Sequence, residues 1–306
     1  MTNSDFLNQG SPAPPRPFGS TWNHLKVVTL RQIMSRLPVP TRFLEPLIQV
    51  LRLDLAPLDA PQVLWDRSRS FRIAIDDPSD HVQTYMFFQG RFEGPETRLV
   101  RDHLAEGNVF VDIGANVGWF TLAAASKVGR TGRVLAFEPF PASFQRLQRN
   151  VALNGFQTVT AFEMGLGDAD AVAPVYAGTG NSGRTSLFPD PDQATASQIQ
   201  LRRAEDVLAE TGVERIDFCK IDVEGAELLV LDGLGRYLRD GRIGAMLIEI
   251  NPMKLEQAGG SAAALYDRLV ASGFHVYDVR RPAVRLASAP DRFMNVLCRH
   301  ESLDAR

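Results

Sequence analysis

The residues of this chain best suited to chemistry are acids that end apolar runs. Val109-Phe-Val-Asp112 leads into Ile113-Gly-Ala-Asn-Val-Gly118, and Leu135-Ala-Phe137 leads into Glu138. A second group holds Lys220, Asp222 and Glu224, followed by Gly225, with Glu249 further on in Ile248-Glu-Ile250. Gly114 and Gly118 bracket a tight turn whose backbone can approach a ligand closely. The turn reads G-x-N-x-G, not the G-x-G-x-x-G that rests a pyrophosphate on a helix N-terminus. Asp112, just before the turn, would also repel a pyrophosphate. The pattern therefore suits a nucleoside cofactor carrying positive charge.

S-adenosylmethionine has that chemistry. Asp112 would favour its amino group and sulfonium, while Gly114, Ala115, Asn116 and Gly118 form the loop around it. Asn116 can both donate to and accept from the methionine end. Glu138 stands 26 positions after Asp112, at the end of a second expected strand, where a carboxylate accepts both ribose hydroxyls. NAD shares that ribose, so Glu138 alone does not discriminate. The adenine is expected near the end of the third strand, around Glu163 and Met164.

Methyl transfer is an in-line displacement, so the protein must align the acceptor and help remove its proton. Alternation along Ile216–Asp222 puts Ile216, Phe218, Lys220 and Asp222 on one strand face, the last two nearest its carboxyl end. Glu224 follows in the loop, and Glu249 ends the next strand, so Lys220, Asp222, Glu224 and Glu249 are expected to converge as the catalytic group. Two chemistries fit them. One carboxylate serves as general base while Lys220 lowers the acceptor's pKa, or the three carboxylates hold a hard cation such as Mg²⁺. Metal-independent chemistry is the expectation and Mg²⁺ the lesser alternative, because no spacing here demands a metal. Glu224 and Glu227 could instead cap the following helix. His275 reads as an edge histidine. The glycine-rich stretch from Ala177 to Ser186 reads as a loop of the acceptor pocket, with Asn181, Arg184 and Ser186 able to bond a polyhydroxylated acceptor.

These groups need a scaffold that gathers strand ends. Strands are expected at 109–113, 133–137, 157–162, 216–221 and 244–250, and helices at 117–128, 141–153, 225–239 and 261–272. Such alternation predicts a parallel sheet with helices on both faces. The runs Phe274–Val279 and Phe293–Leu297 have no helix between them and predict a closing antiparallel hairpin. Glu96 to Leu104 reads as a helix. Phe71–Ile75 and Gln83–Phe88, separated by turn residues, read as a small antiparallel lead-in. Prolines divide 21–55 into short helices whose apolar face would cover the main domain or pair with a second copy of the chain, with a membrane surface the lesser alternative because basic residues are sparse.

Residues 1–20 are polar and proline-rich and are expected to be disordered. The net charge of −3 gives no electrostatic reason to expect a nucleic-acid partner. No apolar run reaches the length of a membrane helix. Cys219 and Cys298, both within apolar runs, read as buried thiols of a reducing compartment, so the expected location is cytoplasmic.

Val111-Asp-Ile-Gly-Ala-Asn-Val-Gly118, Ala136-Phe-Glu-Pro139, Gly165-Leu-Gly-Asp168 and Lys220-Ile-Asp-Val-Glu-Gly-Ala-Glu227 together resemble the FkbM family of S-adenosylmethionine-dependent methyltransferases. Phe92-Glu-Gly-Pro-Glu96 is similar to that family's short acidic element before the first strand. The resemblance runs from about Phe92 to Asn251, with a hairpin of the family's kind after it. It implies a Rossmann-like class I α/β fold, a mostly parallel twisted sheet with a C-terminal antiparallel hairpin. The methyltransferase domain would span 93–300, behind a helical and small-β extension at 21–92. It also implies O-methylation of a small-molecule or glycan acceptor such as a sugar or natural product. The alternatives are an NAD-dependent dehydrogenase or epimerase, and a module that binds the cofactor without catalysis.

Overall fold

The computed structural model describes residues 21–36, 43–178, 180–189 and 193–303; the expectation for residues 1–20 lies outside them. Helices α1 (Thr21–Arg36) and α2 (Leu44–Val50) come first, then a hairpin of β1 (Gln62–Trp65) and β2 (Arg72–Ile75). Two more helices follow, α3 (His81–Gln89) and α4 (Gly94–His103). The alternating part begins with β3 (Val109–Ile113), α5 (Trp119–Val128), β4 (Arg133–Phe137), α6 (Pro141–Asn154) and β5 (Val159–Phe162). A small sheet then interrupts it, made of β6 (Gly165–Gly167), β7 (Ala171–Ala177) and β8 (Ala194–Arg203). The alternation resumes with α7 (Ala204–Glu210), β9 (Ile216–Ile221), α8 (Glu227–Gly233), α9 (Arg236–Arg239), β10 (Ile243–Ile250), α10 (Pro252–Gln257) and α11 (Ala262–Ala271). Strands β11 (Phe274–Asp278), β12 (Arg281–Arg285) and β13 (Met294–His300) close the fold.

The main sheet has the order β12-β11-β13-β10-β9-β3-β4-β5. Strands β5, β4, β3, β9 and β10 run parallel. β13 enters antiparallel between β10 and β11. This is the expected α/β architecture with its closing hairpin. Central strands covered on both faces need apolar residues at every position, and all eight residues of β10 are buried. Alternation sends Phe110, Val134, Phe218 and Leu247 to one face, packed with α5, and Val111, Leu135, Cys219 and Met246 to the other. The apolar side of α1 (Val27, Leu30, Met34) joins the first layer beside Met86 and Phe87 of α3. Both cysteines are buried free thiols. Among the described residues, no helix is long and apolar enough to cross a membrane.

Four details depart from the sequence expectations. Gln83–Phe88 is helical, because Asp80 accepts the Gln83 N–H and Gly90 closes the helix in a left-handed conformation. Nearly every residue of that helix is buried, which erases the polar side that would mark a helical period. The partner of Arg72–Ile75 is therefore Gln62–Trp65. The helix expected over 225–239 starts at Glu227 and breaks at Gly235, where the Arg236 N–H donates to Glu205 at 3.3 Å. Strand β12 adds an exposed edge, and β6, β7 and β8 form a sheet that no hydrophobic alternation announced.

Candidate active site

Strand order proceeds outward from β3 through β4 and β5 on one side, and from β9 through β10 on the other. The crevice above the carboxyl ends at such a reversal is where open α/β sheets take ligands. A cavity of about 1150 Å³ lies there, walled by the loop after β3, the ends of β4, β9 and β10, the start of α4 and the loop after β7.

The glycine loop fits tightly against β9. Gly114 has φ +83°, and a Cβ on it would collide with the Asp222 carbonyl oxygen. The Asp222 N–H donates back to the Ile113 carbonyl at 3.0 Å. Gly118, at φ +94°, would place a Cβ 2.6 Å from Leu147 of α6. Both residues are glycine because neighbouring elements leave no room and the backbone is left-handed. Between them Asn116, at φ +48°, donates its N–H to Glu138 Oε2 at 2.7 Å. Its side-chain oxygen is buried with no partner among the described residues.

Glu138 accepts a second backbone N–H, from Phe140, at 2.9 Å. Burial pushes its carboxyl up to about 7, against the pull of those two hydrogen bonds. Each oxygen keeps a lone pair for another donor. Ala115 also lines the cavity. The orphaned Asn116 oxygen, the Gly114 approach and the half-satisfied Glu138 together fit a nucleoside with an amino-acid tail.

Two sequence assignments move. Asp112 is fully buried one layer behind the cavity wall, where Thr121 Oγ donates to it at 2.6 Å. Strand alternation turns its side chain beneath α5, beside Lys220, its register partner on β9. Burial raises its carboxyl, with Lys220 and the Thr121 hydrogen bond opposing. It places a carboxylate beside Lys220, and its second oxygen is buried with no partner among the described residues. Glu163 is exposed and Met164 packs into the layer on the far side of the sheet, so neither lines the cavity; Gly165 and Leu166 do.

Lys220, Asp222, Glu224 and Glu249 do converge. Lys220, 4% exposed, places Nζ 2.7 Å from Asp222 Oδ2 and 4.8 Å from the Phe120 ring centroid. Burial would discharge it, but Asp222, Asp112 and Glu93 outweigh that and raise its pKa, so it remains an ammonium. Asp222, Glu224 and Glu249 bring oxygens within 4.8 Å of one another. Glu249, 7% exposed, is pushed well above the usual carboxylate range by burial and then by Asp222, Glu224, Glu93 and Glu227. Glu227 stands apart in role, since it accepts the N–H groups of Val223 and Gly225 and so holds the loop.

Glu93 is a wall residue absent from the sequence assignment. Its backbone is left-handed, at φ 41° and ψ 66°, a conformation costing a non-glycine residue about 1–3 kcal/mol. The only signal in the sequence was its place in the acidic element before the first strand. The loop after β7 also reaches the cavity, as expected. Asn181, Arg184 and Ser186 line it, Ser186 Oγ donates to the Glu224 carbonyl at 2.7 Å, and the Gly180 carbonyl accepts the His81 N–H.

Comparison with known proteins agrees with this arrangement. The family described as Methyltransferase FkbM domain matches residues 112–276, more than half of the chain. The AMB antimetabolite synthetase AmbE of Pseudomonas aeruginosa is 31% identical over 60% of this chain and 10% of its own length. Methyltransferase 1 of Beauveria bassiana is 31% identical over 58% of this chain and 76% of its own. The hexuronic acid methyltransferase AglP of Haloferax volcanii is 29% identical over 53% of this chain and 63% of its own. The chain thus spans a tenth of the synthetase and between three fifths and four fifths of the two smaller relatives. With the family match covering the glycine loop, the acids Asp112 and Glu138 and the Lys220 motif, the chain belongs to the FkbM family of methyltransferase domains.

Proposed function

We propose that the chain transfers a methyl group from S-adenosylmethionine to a hydroxyl of a sugar, glycan or natural-product acceptor. Glu138 carries this reading. It is a buried carboxylate at a strand end, fixed by two backbone N–H groups and still able to accept from a ribose diol. Asn116 and the Gly114 turn would hold the amino-acid tail. When bound, the cofactor supplies an electrophilic methyl carbon.

The rest falls to the chain's own side chains. Lys220, held by Asp222, presents a permanent cation where an acceptor oxygen gains negative charge. A cleft carboxylate takes the acceptor's proton. Because Lys220 already supplies the fixed positive charge, the chemistry needs no metal, and chelation with EDTA should leave the rate unchanged. The loop carrying Asn181, Arg184 and Ser186 offers hydrogen-bonding groups to a polyhydroxylated molecule. That the Haloferax volcanii relative is named for a hexuronic acid supports a sugar-like acceptor.

Calorimetry with S-adenosylhomocysteine and with NADH tests the cofactor. Binding of the first alone is expected; binding of NADH alone would establish the dehydrogenase alternative. Mass spectrometry of p-nitrophenyl β-D-glucuronide after incubation with S-adenosylmethionine tests the acceptor class, through the gain of one CH₂ unit that survives mild alkaline hydrolysis, as an ether does and a methyl ester does not.

A further inference from the structure

We propose that Glu93 is the general base of the transfer, accepting the proton of the acceptor hydroxyl at its carboxylate. The proposal rests on the methyltransferase reading above and names the group which that reading left open. In the step, the hydroxyl oxygen bonds to the methyl carbon, the C–S bonding pair stays on sulfur, and the O–H proton passes to Glu93.

Backbone strain comes first. Five non-glycine residues among those described have positive φ, and three of them, Glu93, Asn116 and Glu224, line this cavity. Strain concentrated in one cleft points to a function that holds those residues there. Glu93 precedes the first turn of α4, yet its side chain makes no capping hydrogen bond to that helix. Its carbonyl accepts the Thr97 N–H at 2.8 Å and so starts the helix, while its side chain is left to the cavity wall.

Three other cleft carboxyls are committed. Asp222 is held by Lys220 at 2.7 Å, Glu138 by two backbone N–H groups, and Glu96 by Asn295 at 3.3 Å. The carboxyl groups of Glu93 and Glu249 make no hydrogen bond to any described residue. Their surroundings separate them. Glu249 is buried among Asp222, Glu224, Glu93 and Glu227, which together with burial push its carboxyl well above the usual carboxylate range, and its backbone is ordinary strand rather than left-handed. Glu93 faces Asp222 and Lys220 from β9 and its loop, Glu96 from its own helix, and Glu249 from β10. Burial and then Asp222 push its carboxyl up to about 8, with Lys220 pulling the other way. A carboxyl poised that close to neutrality suits proton abstraction better than a strongly acidic one.

A base must be ionised before it can accept a proton. Burial and Asp222 raise the Glu93 carboxyl above neutrality, so the unloaded group holds a proton at pH 7 that loading the site must expel. Titration of S-adenosylmethionine into the full chain at pH 7, in two buffers of different ionisation enthalpy, counts protons released. Wild type is expected to release more protons than Glu93→Gln, with similar affinities. Equal release by the two proteins overturns the assignment. Absence of binding by wild type overturns the methyltransferase reading itself.

The second measurement is single-turnover formation of S-adenosylhomocysteine with p-nitrophenyl β-D-glucopyranoside as acceptor, which offers hydroxyls and no carboxylate. Glu93→Gln should lose about 10²–10⁴-fold in rate, together with the acid limb of the pH profile. Glu93→Asp, which keeps a carboxyl, should recover part of both. A Glu93→Gln rate within threefold of wild type overturns the proposal.

Discussion

The two halves of the cleft treat their acids differently. On the β3–β4 side, each oxygen of Glu138 is fixed by a backbone N–H, and the loop is locked by glycines against β9 and α6. On the β9–β10 side, Asp222, Glu224 and Glu249 bring their oxygens together, Lys220 holds Asp222, and the carboxyls of Glu93 and Glu249 have no hydrogen bond among the described residues. Backbone donors make the first half a mould of fixed shape, suited to a ligand that is always the same. Side-chain charges make the second half a store of protons, suited to a step in which charge moves. Substitutions should separate the halves, with shape and affinity failing on one side and rate and pH dependence on the other.

The largest effect is expected at Lys220. Lys220→Ala removes the one cation from a buried group holding Asp112, Asp222 and Glu93. Breaking a buried pair from one side costs about 3–5 kcal/mol. The melting temperature should fall, and methyl transfer by the folded fraction should drop on the order of 10³-fold. A folded Lys220→Ala protein with near-normal turnover would show that the charged half is only structural.

Gly114→Ala attacks the other half by shape. The left-handed φ alone costs about 1–3 kcal/mol, and the clash with the Asp222 carbonyl adds overpacking of about 1–3 kcal/mol more. S-adenosylhomocysteine affinity and melting temperature should fall together, since the same backbone contact serves both. If affinity is lost while stability is kept, the loop has moved away from β9 and the mould is softer than described.

Glu138→Gln removes a charged acceptor worth about 1.5–3 kcal/mol, so affinity for S-adenosylhomocysteine should fall about 10–100-fold. The pH dependence has a definite sign. Ribose donors favour the ionised form, and the free protein holds that carboxyl at about 7. Affinity should therefore rise with pH through about 7 and then level off, and Glu138→Gln should lose that rise. Folding stability runs the opposite way. The raised pKa favours the native state below the ordinary carboxylate range, a contribution lost as pH rises through about 7.

What the sequence revealed follows the same division. Gly114, Gly118 and Glu138 were legible because turn geometry and strand ends are local properties, written in consecutive residues. So was the Lys220 strand, since a lysine inside an apolar run demands an explanation. Glu93 was not legible. Its role depends on α4 starting across the cleft from β9, and its strain is a backbone angle that no residue type announces. Asp112 was found but misplaced by one layer, because spacing gives the strand and not which helix covers that face. Helix α3 was taken for a strand for a related reason. Burial on all sides removes the polar stripe by which a helix is recognised.

The smallest effect is expected at Glu163, the residue where sequence and structure disagree most directly about the mould. Placed by sequence near the adenine, it stands exposed at the end of β5, while the wall continues through Gly165 and Leu166. Glu163→Ala should change S-adenosylhomocysteine affinity less than about twofold, within the range of an ordinary surface substitution. Leu166→Ala, which removes a buried side chain from the wall, should weaken binding more than that. If the order is reversed, β5 ends with its acid turned into the cleft once the ligand is bound. The cofactor half would then adapt to its ligand, and the contrast between a fixed mould and a responsive acceptor half would fail at its adenine end.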